Sequence, residues 1–100
     1  MANNYRAEID IKLGDKTYLM RPTFQALCEI ENAIDKSVIS LLTRYNERGI
    51  LISELIAITR AGIKAGEGSV PPNLDRLVEE EGICNLLPVI CKFLEEGLSI

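Results

Sequence analysis

Residues Tyr5–Leu13 alternate without a break: Tyr5, Ala7, Ile9, Ile11 and Leu13 are apolar, and Arg6, Glu8, Asp10 and Lys12 between them are polar. Period two over nine residues is incompatible with a one-sided helix and predicts a half-buried strand. Gly14-Asp15 comes next, with glycine free to take positive φ in a tight turn. Thr17-Tyr18-Leu19-Met20 then supplies β-favouring residues for a return strand over Lys16–Arg21. A lone hairpin is marginal in water, so its apolar face must rest on whatever the remaining chain forms.

The rest of the chain is helix and connector. Pro22 stops the strand, and Thr23 is placed to cap a helix over 24–34. Phe24, Leu27, Ile30 and Ile34 mark its apolar stripe, with Cys28 and Glu31 on the same side. Asp35-Lys36-Ser37 links to a helix over 38–48, capped by Ser37, striped by Val38, Leu41, Leu42 and Tyr45, and stopped by Gly49. Ile50-Leu51-Ile52 is a tight apolar link. Ser53 reads as the cap of a third helix, 54–65, whose broad apolar arc and small Ala57 and Ala61 make it the most central. Gly66–Pro72 is the one real break. A short acidic helix spans 74–81, ended by Gly82, and a last helix spans 85–97. With Asn85 as cap, Pro88 falls in the first turn, where its missing N–H is harmless; the other reading starts the helix earlier and kinks it at Pro88. The expectation is one α+β domain over residues 1–100: an N-terminal hairpin, 5–21, followed by a bundle of four to five short helices.

Composition narrows the chemistry. The chain has no histidine, which removes the usual base and ligand for nucleophilic or metal chemistry. Its cysteines, Cys28, Cys84 and Cys91, are odd in number and lack CxxC spacing. They predict buried free thiols in a reducing, cytoplasmic setting, not a zinc or redox site. Net charge is −4, with seven basic and seven acidic side chains before residue 51 and four and eight after it. No basic cluster faces a nucleic acid, and no apolar run reaches the roughly 18 residues of a membrane span. Gly62–Ser69 has glycines and a lysine, but they end a helix, and a helix C-terminus repels the phosphate that such a loop would cradle. No catalytic residue, cofactor or metal is expected.

Two features point to a partner. Leu87, Ile90, Cys91, Phe93, Leu94 and Leu98 fill about half the circumference of the last helix, wider than packing on one core requires. That width means either a second contact or burial between the hairpin and helix three. Ile50 and Leu51 are a second candidate surface. Glu31, at the rim of an apolar stripe, is either a polar contact to a partner or a rim ion pair with Arg21 or Lys36.

The order and spacing of several segments carry a resemblance. These are Tyr5-Arg6-Ala7-Glu8-Ile9, Leu13-Gly14-Asp15-Lys16, Arg21-Pro22-Thr23-Phe24, Ala26-Leu27-Cys28-Glu29-Ile30-Glu31, Ile52-Ser53-Glu54-Leu55-Ile56 and Thr59-Arg60-Ala61-Gly62. Together they resemble the small tail assembly proteins of gene transfer agents and related tailed phages, assigned as tail assembly chaperones and sometimes labelled tail tube proteins. The resemblance implies a non-enzymatic assembly factor that binds the helical tape measure protein, or another tail protein, before the tube forms around it. The alternative it carries is a structural, tube-associated subunit. The partner surface expected on Leu87, Ile90, Phe93, Leu94 and Leu98, with Ile50, Leu51 and Glu31, comes from the residues themselves; the same surface would also serve self-association into a homo-oligomer.

Overall fold

The computed structural model describes residues 8–98, and the backbone alone for 46–48. Two strands, β1 (Ile9–Leu13) and β2 (Lys16–Met20), form an antiparallel hairpin. Five helices come after it: α1 (Phe24–Ile34), α2 (Val38–Arg48), α3 (Ile52–Glu67), α4 (Leu74–Glu81) and α5 (Ile83–Gly97). The α+β hairpin-then-helices expectation holds. The part of the predicted first strand at Tyr5, Arg6 and Ala7 lies outside the described residues.

The hairpin register pairs Leu13 with Lys16 across a two-residue turn, Ile11 with Tyr18 and Ile9 with Met20. Gly14 has φ +68°, and no non-glycine at the turn has positive φ. Positive φ at the first central residue alone is the type II′ arrangement, whose twist matches that of the strands. Ile9, Ile11 and Leu13 point into the core while Asp10 and Lys12 face solvent, as the alternation requires. The Gly14 N–H is taken by the Glu81 carboxylate at 3.1 Å, which ties the hairpin tip to the end of α4.

The helix caps obey local chemistry. Thr23 Oγ1 accepts from the Ala26 N–H and Ser37 Oγ from the Ser40 N–H, both at 3.0 Å. Ser53, by contrast, is not the cap of α3. The helix begins two residues earlier with Leu51 as N-cap, whose N–H is accepted by the Glu54 carboxylate at 2.8 Å. That is the side-chain-to-backbone half of a capping box, with no polar side chain at the cap itself. Helix α5 also starts early, at Ile83. Pro88 is therefore its sixth residue, and Asn85 donates to the Glu81 carbonyl at 2.8 Å instead of capping.

The sharpest departure is at the end of α3, which runs on through Gly66 to Glu67 and stops at Gly68, φ +87°. Gly66 is helical because β2 lies against it. A Cβ there would overlap the Leu19 carbonyl oxygen and come within 2.6 Å of the carbonyl carbon. One turn earlier, Gly62 accepts the Arg21 N–H through its carbonyl at 3.2 Å. Its missing Cβ leaves room for Met20 and Phe93: a Cβ there would stand 2.5 Å from Met20 Cε and 2.9 Å from Phe93 Cε1. Glu67 then reaches back to take the Leu19 N–H at 2.7 Å. Helix α3 thus runs along the outer edge of β2 with its glycine face against the strand, and it also contacts α1, α4 and α5. Its expected central place holds.

Alanine in place of glycine usually stabilises a helix interior by about 1 kcal/mol. At Gly66 the sign reverses, because the obstacle is backbone and cannot rotate away. Gly66→Ala is expected to cost about 2 kcal/mol or more net, and to cost more than Gly62→Ala, where the nearest atom is the end of a flexible methionine. Urea denaturation midpoints of the two variants check the order.

Candidate functional site

Helix α5 is a core helix. Ile90, Phe93 and Leu94 are buried, Phe93 completely. Leu87 and Leu98 are half-buried and packed against the same core. The surface expected on these residues is therefore corrected: in this fold Ile90, Phe93 and Leu94 have no area to offer a partner. The buried arc is centred between Leu86 and Gly97, two positions absent from the predicted stripe. Gly97 explains the width. Its missing Cβ lets the end of α5 settle close to Pro22 and Leu27: a Cβ there would stand 3.1 Å from Pro22 Cβ and 3.2 Å from the Leu27 methyls. With β1, α2, α3 and α4 around it as well, α5 needs a broad apolar face simply to fill its place.

Glu31 also has an internal task, and neither predicted pairing occurs. Its carboxylate accepts the Val38 N–H at 3.0 Å, and its carbonyl accepts the Asp35 N–H at 2.8 Å. It joins the end of α1 to the first turn of α2, where the helix dipole favours a negative charge. Arg21 instead pairs with Glu8 at 2.7 Å, and Lys36 with Glu54.

Glu54 is a structural centre that pattern and spacing did not single out. It is a buried carboxylate at the start of α3, 1% exposed. It takes the Leu51 N–H, the Lys36 ammonium at 3.1 Å and the Arg44 guanidinium of α2. Burial pushes its carboxyl upward. The hydrogen bonds from Arg44, Leu51 and Lys36 outweigh that and hold it at about 2. A signal was present: Glu54 lies on the line of Ile58 and Ala61, a charge on an apolar stripe, as Glu31 is.

The cysteine expectation is also corrected. Cys28 and Cys84 are exposed and Cys91 is half-buried. On α1 the buried side is Ala26, Leu27 and Ile30, which turns Cys28 outward together with Phe24, 79% exposed despite its stripe spacing. Burial and the neighbouring Glu95 carboxylate push the Cys91 thiol up, so it is a poorer nucleophile than a free thiol. Among the described residues no cluster of three metal-ligating side chains occurs, and no helix is long and apolar enough to cross a membrane.

Among the described residues the exposed large apolar side chains are Phe24, Ile39, Leu51 and Ile52, and of these only Leu51 and Ile52 are adjacent in sequence, where α2 passes to α3. Leu51 is 55% exposed and Ile52 62%, with Ile50 half-buried beside them. Arg44, Gly49, Ile50 and Leu51 line a shallow recess of about 210 Å³. This corner is held by the Glu54 cluster directly beneath it, since the same Leu51 whose side chain is exposed gives its N–H to Glu54. Of the surfaces predicted from sequence, Ile50 and Leu51 are the pair that the fold leaves accessible.

The sequence matches the family described as "Phage tail tube protein, GTA-gp10" over residues 6–99. The chain belongs to this family. It is a tail protein of the phage and gene transfer agent type, and the family is one of tail proteins, not an enzyme class. No curated protein and no solved structure matches it significantly. The chain carries an apolar corner braced by a buried ion cluster.

The bracing has a pH signature. A folded-state carboxyl at about 2, against an ordinary 4.5, means that the contribution of Glu54 is fully present above about pH 4.5. It shrinks as pH falls below that value and is gone below about 2. At neutral pH it is worth at most about 3 kcal/mol, reduced because Lys36 and Arg44 reach Glu54 from solvent. Urea stability measured from pH 7 to 2.5 is expected to fall less steeply for Glu54→Gln than for the wild type, with the two curves converging at the acid end. Parallel curves would remove Glu54 from this role. Phe93→Ala is expected to cost about 3–5 kcal/mol, measurable by the same denaturation, as befits core and not a contact surface.

Proposed function

We propose that this protein is a non-enzymatic tail assembly factor that holds a helical tail component, foremost the tape measure protein, in the cytoplasm before the tube encloses it. The observation that carries this reading is the exposed Leu51–Ile52 corner with its recess. A long helix with apolar residues at i, i+3, i+4 and i+7 has no stable state alone in water and docks on such a surface. Each square ångström of apolar area covered returns roughly 25 cal/mol, enough for a reversible hold by a small patch. Core packing does not use the Leu51 and Ile52 side chains, so a partner can leave without unfolding the protein.

A second reading, a structural subunit of the tail tube, is favoured by the family's own description. The two readings differ in where the protein ends up. A subunit is retained in purified particles in stoichiometric amounts, and an assembly factor is absent from them.

The test is co-expression with the tape measure protein and recovery of the complex through an affinity tag. Leu51→Ser together with Ile52→Ser is expected to weaken the complex on the order of tenfold or more, about 1.4 kcal/mol or more. The variant should keep its fold, because serine is a good helix N-cap and both side chains are exposed. Undiminished binding by this variant would move the contact elsewhere, and no complex at micromolar concentration would sink the assembly-factor reading.

A further inference from the structure

The hairpin has two outer edges, and among the described residues one is partly covered and the other is open. The register places the backbone groups of Thr17 and Leu19 on the outer side of β2 and those of Asp10 and Lys12 on the outer side of β1. On β2, Glu67 takes the Leu19 N–H and α3 lies along the strand. On β1, the backbone N–H and C=O groups of Asp10 and Lys12 have no hydrogen-bond partner among the described residues, and both side chains are exposed and unpaired there. Beside this edge runs a groove of about 350 Å³ between β1 and α5, lined by Glu8, Ile9, Asp10, Pro88, Val89 and Lys92.

An open edge is a template for another strand. Its side chains say which strand fits. Antiparallel pairing across the edge must bring outward-facing residues opposite outward-facing residues. Centring the pairing on Ile11 sets Asp10 of one chain against Lys12 of a second copy, and Lys12 against Asp10. Moving the centre by one residue toward either end puts Asp10 opposite Asp10, or Lys12 opposite Lys12. One two-fold register is thus favoured by charge and both neighbouring registers carry a like-charge pair. The charges on this edge are self-complementary. The geometry points to an isologous dimer in which β1 of two copies joins the two hairpins into one four-stranded sheet about an axis at Ile11. The groove along α5 accommodates the flank of the incoming strand, and half-buried Val89 becomes covered. The contact uses β1 and α5, not the Leu51–Ile52 corner, so it stands independently of the assembly-factor function.

Sedimentation equilibrium up to about 1 mM protein tests the pairing, with circular dichroism to confirm that each variant is folded. Wild type is expected to dimerise weakly, as a contact of one short strand should. Asp10→Lys alone makes both cross-strand pairs basic, and Lys12→Asp alone makes both acidic. Each is expected to raise the dimer dissociation constant on the order of tenfold or more. Mixing the two single variants restores both unlike pairs and is expected to give a heterodimer that neither forms with itself. The double variant Asp10→Lys/Lys12→Asp should dimerise like wild type. A wild type that stays monomeric to 1 mM would leave the edge to a strand from another protein and overturn the inference. Single variants that dimerise undiminished would overturn it as well.

Discussion

Everything in this fold leans on the contact between the glycine face of α3 and the edge of β2. A helix and a strand seldom approach so closely edge-on, because Cβ atoms keep the backbones apart. Gly62 and Gly66, one turn apart, remove that spacing where Met20 and Leu19 pass. The strand then borrows its missing partners from the helix: the Arg21 N–H goes to the Gly62 carbonyl and the Leu19 N–H to Glu67. A two-stranded hairpin, marginal alone, becomes part of the helical layer. With the hairpin fixed, Ile9, Ile11, Leu13 and Met20 form one wall of the core, and α5 fills the space between that wall and the other helices.

The second constraint is electrostatic. Glu54 sits where three segments meet: the 35–37 connector through Lys36, α2 through Arg44 and the start of α3 through Leu51. Burying a carboxylate is costly, and replacing such clusters with apolar side chains is often neutral or stabilising. What a charge adds is direction, since only one arrangement of α2 on α3 satisfies all three donors. Glu31 acts in the same way a turn away, fixing where α2 starts after α1. Between them the two carboxylates set the short connections on either side of α2, which leaves the apolar side chains of the 50–52 link free of any structural duty except at Ile50.

Local rules made much of this legible. The period-two run located β1, and the Thr23, Ser37, Gly49 and Gly82 signals placed helix ends correctly, because a cap depends on a few neighbouring residues. The departures are all tertiary. Gly66 reads as a breaker until Leu19 lies against it. Phe24 and Cys28 have stripe spacing, but the wall they would meet lies on the Ala26–Leu27–Ile30 side. The width of α5 is explained by neighbours on several sides, a fact of topology that periodicity does not contain. Ser53 has the chemistry of a cap, yet Glu54 captures the Leu51 N–H from inside the helix because Arg44 and Lys36 hold its carboxylate there. Of the candidate contact residues, Ile50 and Leu51 could be read from the sequence as an apolar link; their exposure could not, since it depends on how α2 and α3 are clamped.

Once the core has taken α5, Phe24, Ile39, Leu51 and Ile52 are the large apolar side chains still exposed among the described residues. The surfaces left over differ in kind, and the difference bears on what each can do. The corner at Leu51 and Ile52 is apolar, and on the proposed function its exposed side chains, with no fixed spacing of polar groups among them, suit helices of varied sequence. The β1 edge is the reverse. It presents backbone amides and carbonyls at fixed spacing, flanked by Asp10 and Lys12, so the strand pairing proposed there would be set in register by charge. On the two proposals, a helical partner at the first surface and an extended strand at the second are compatible, because neither contact consumes residues that the other requires.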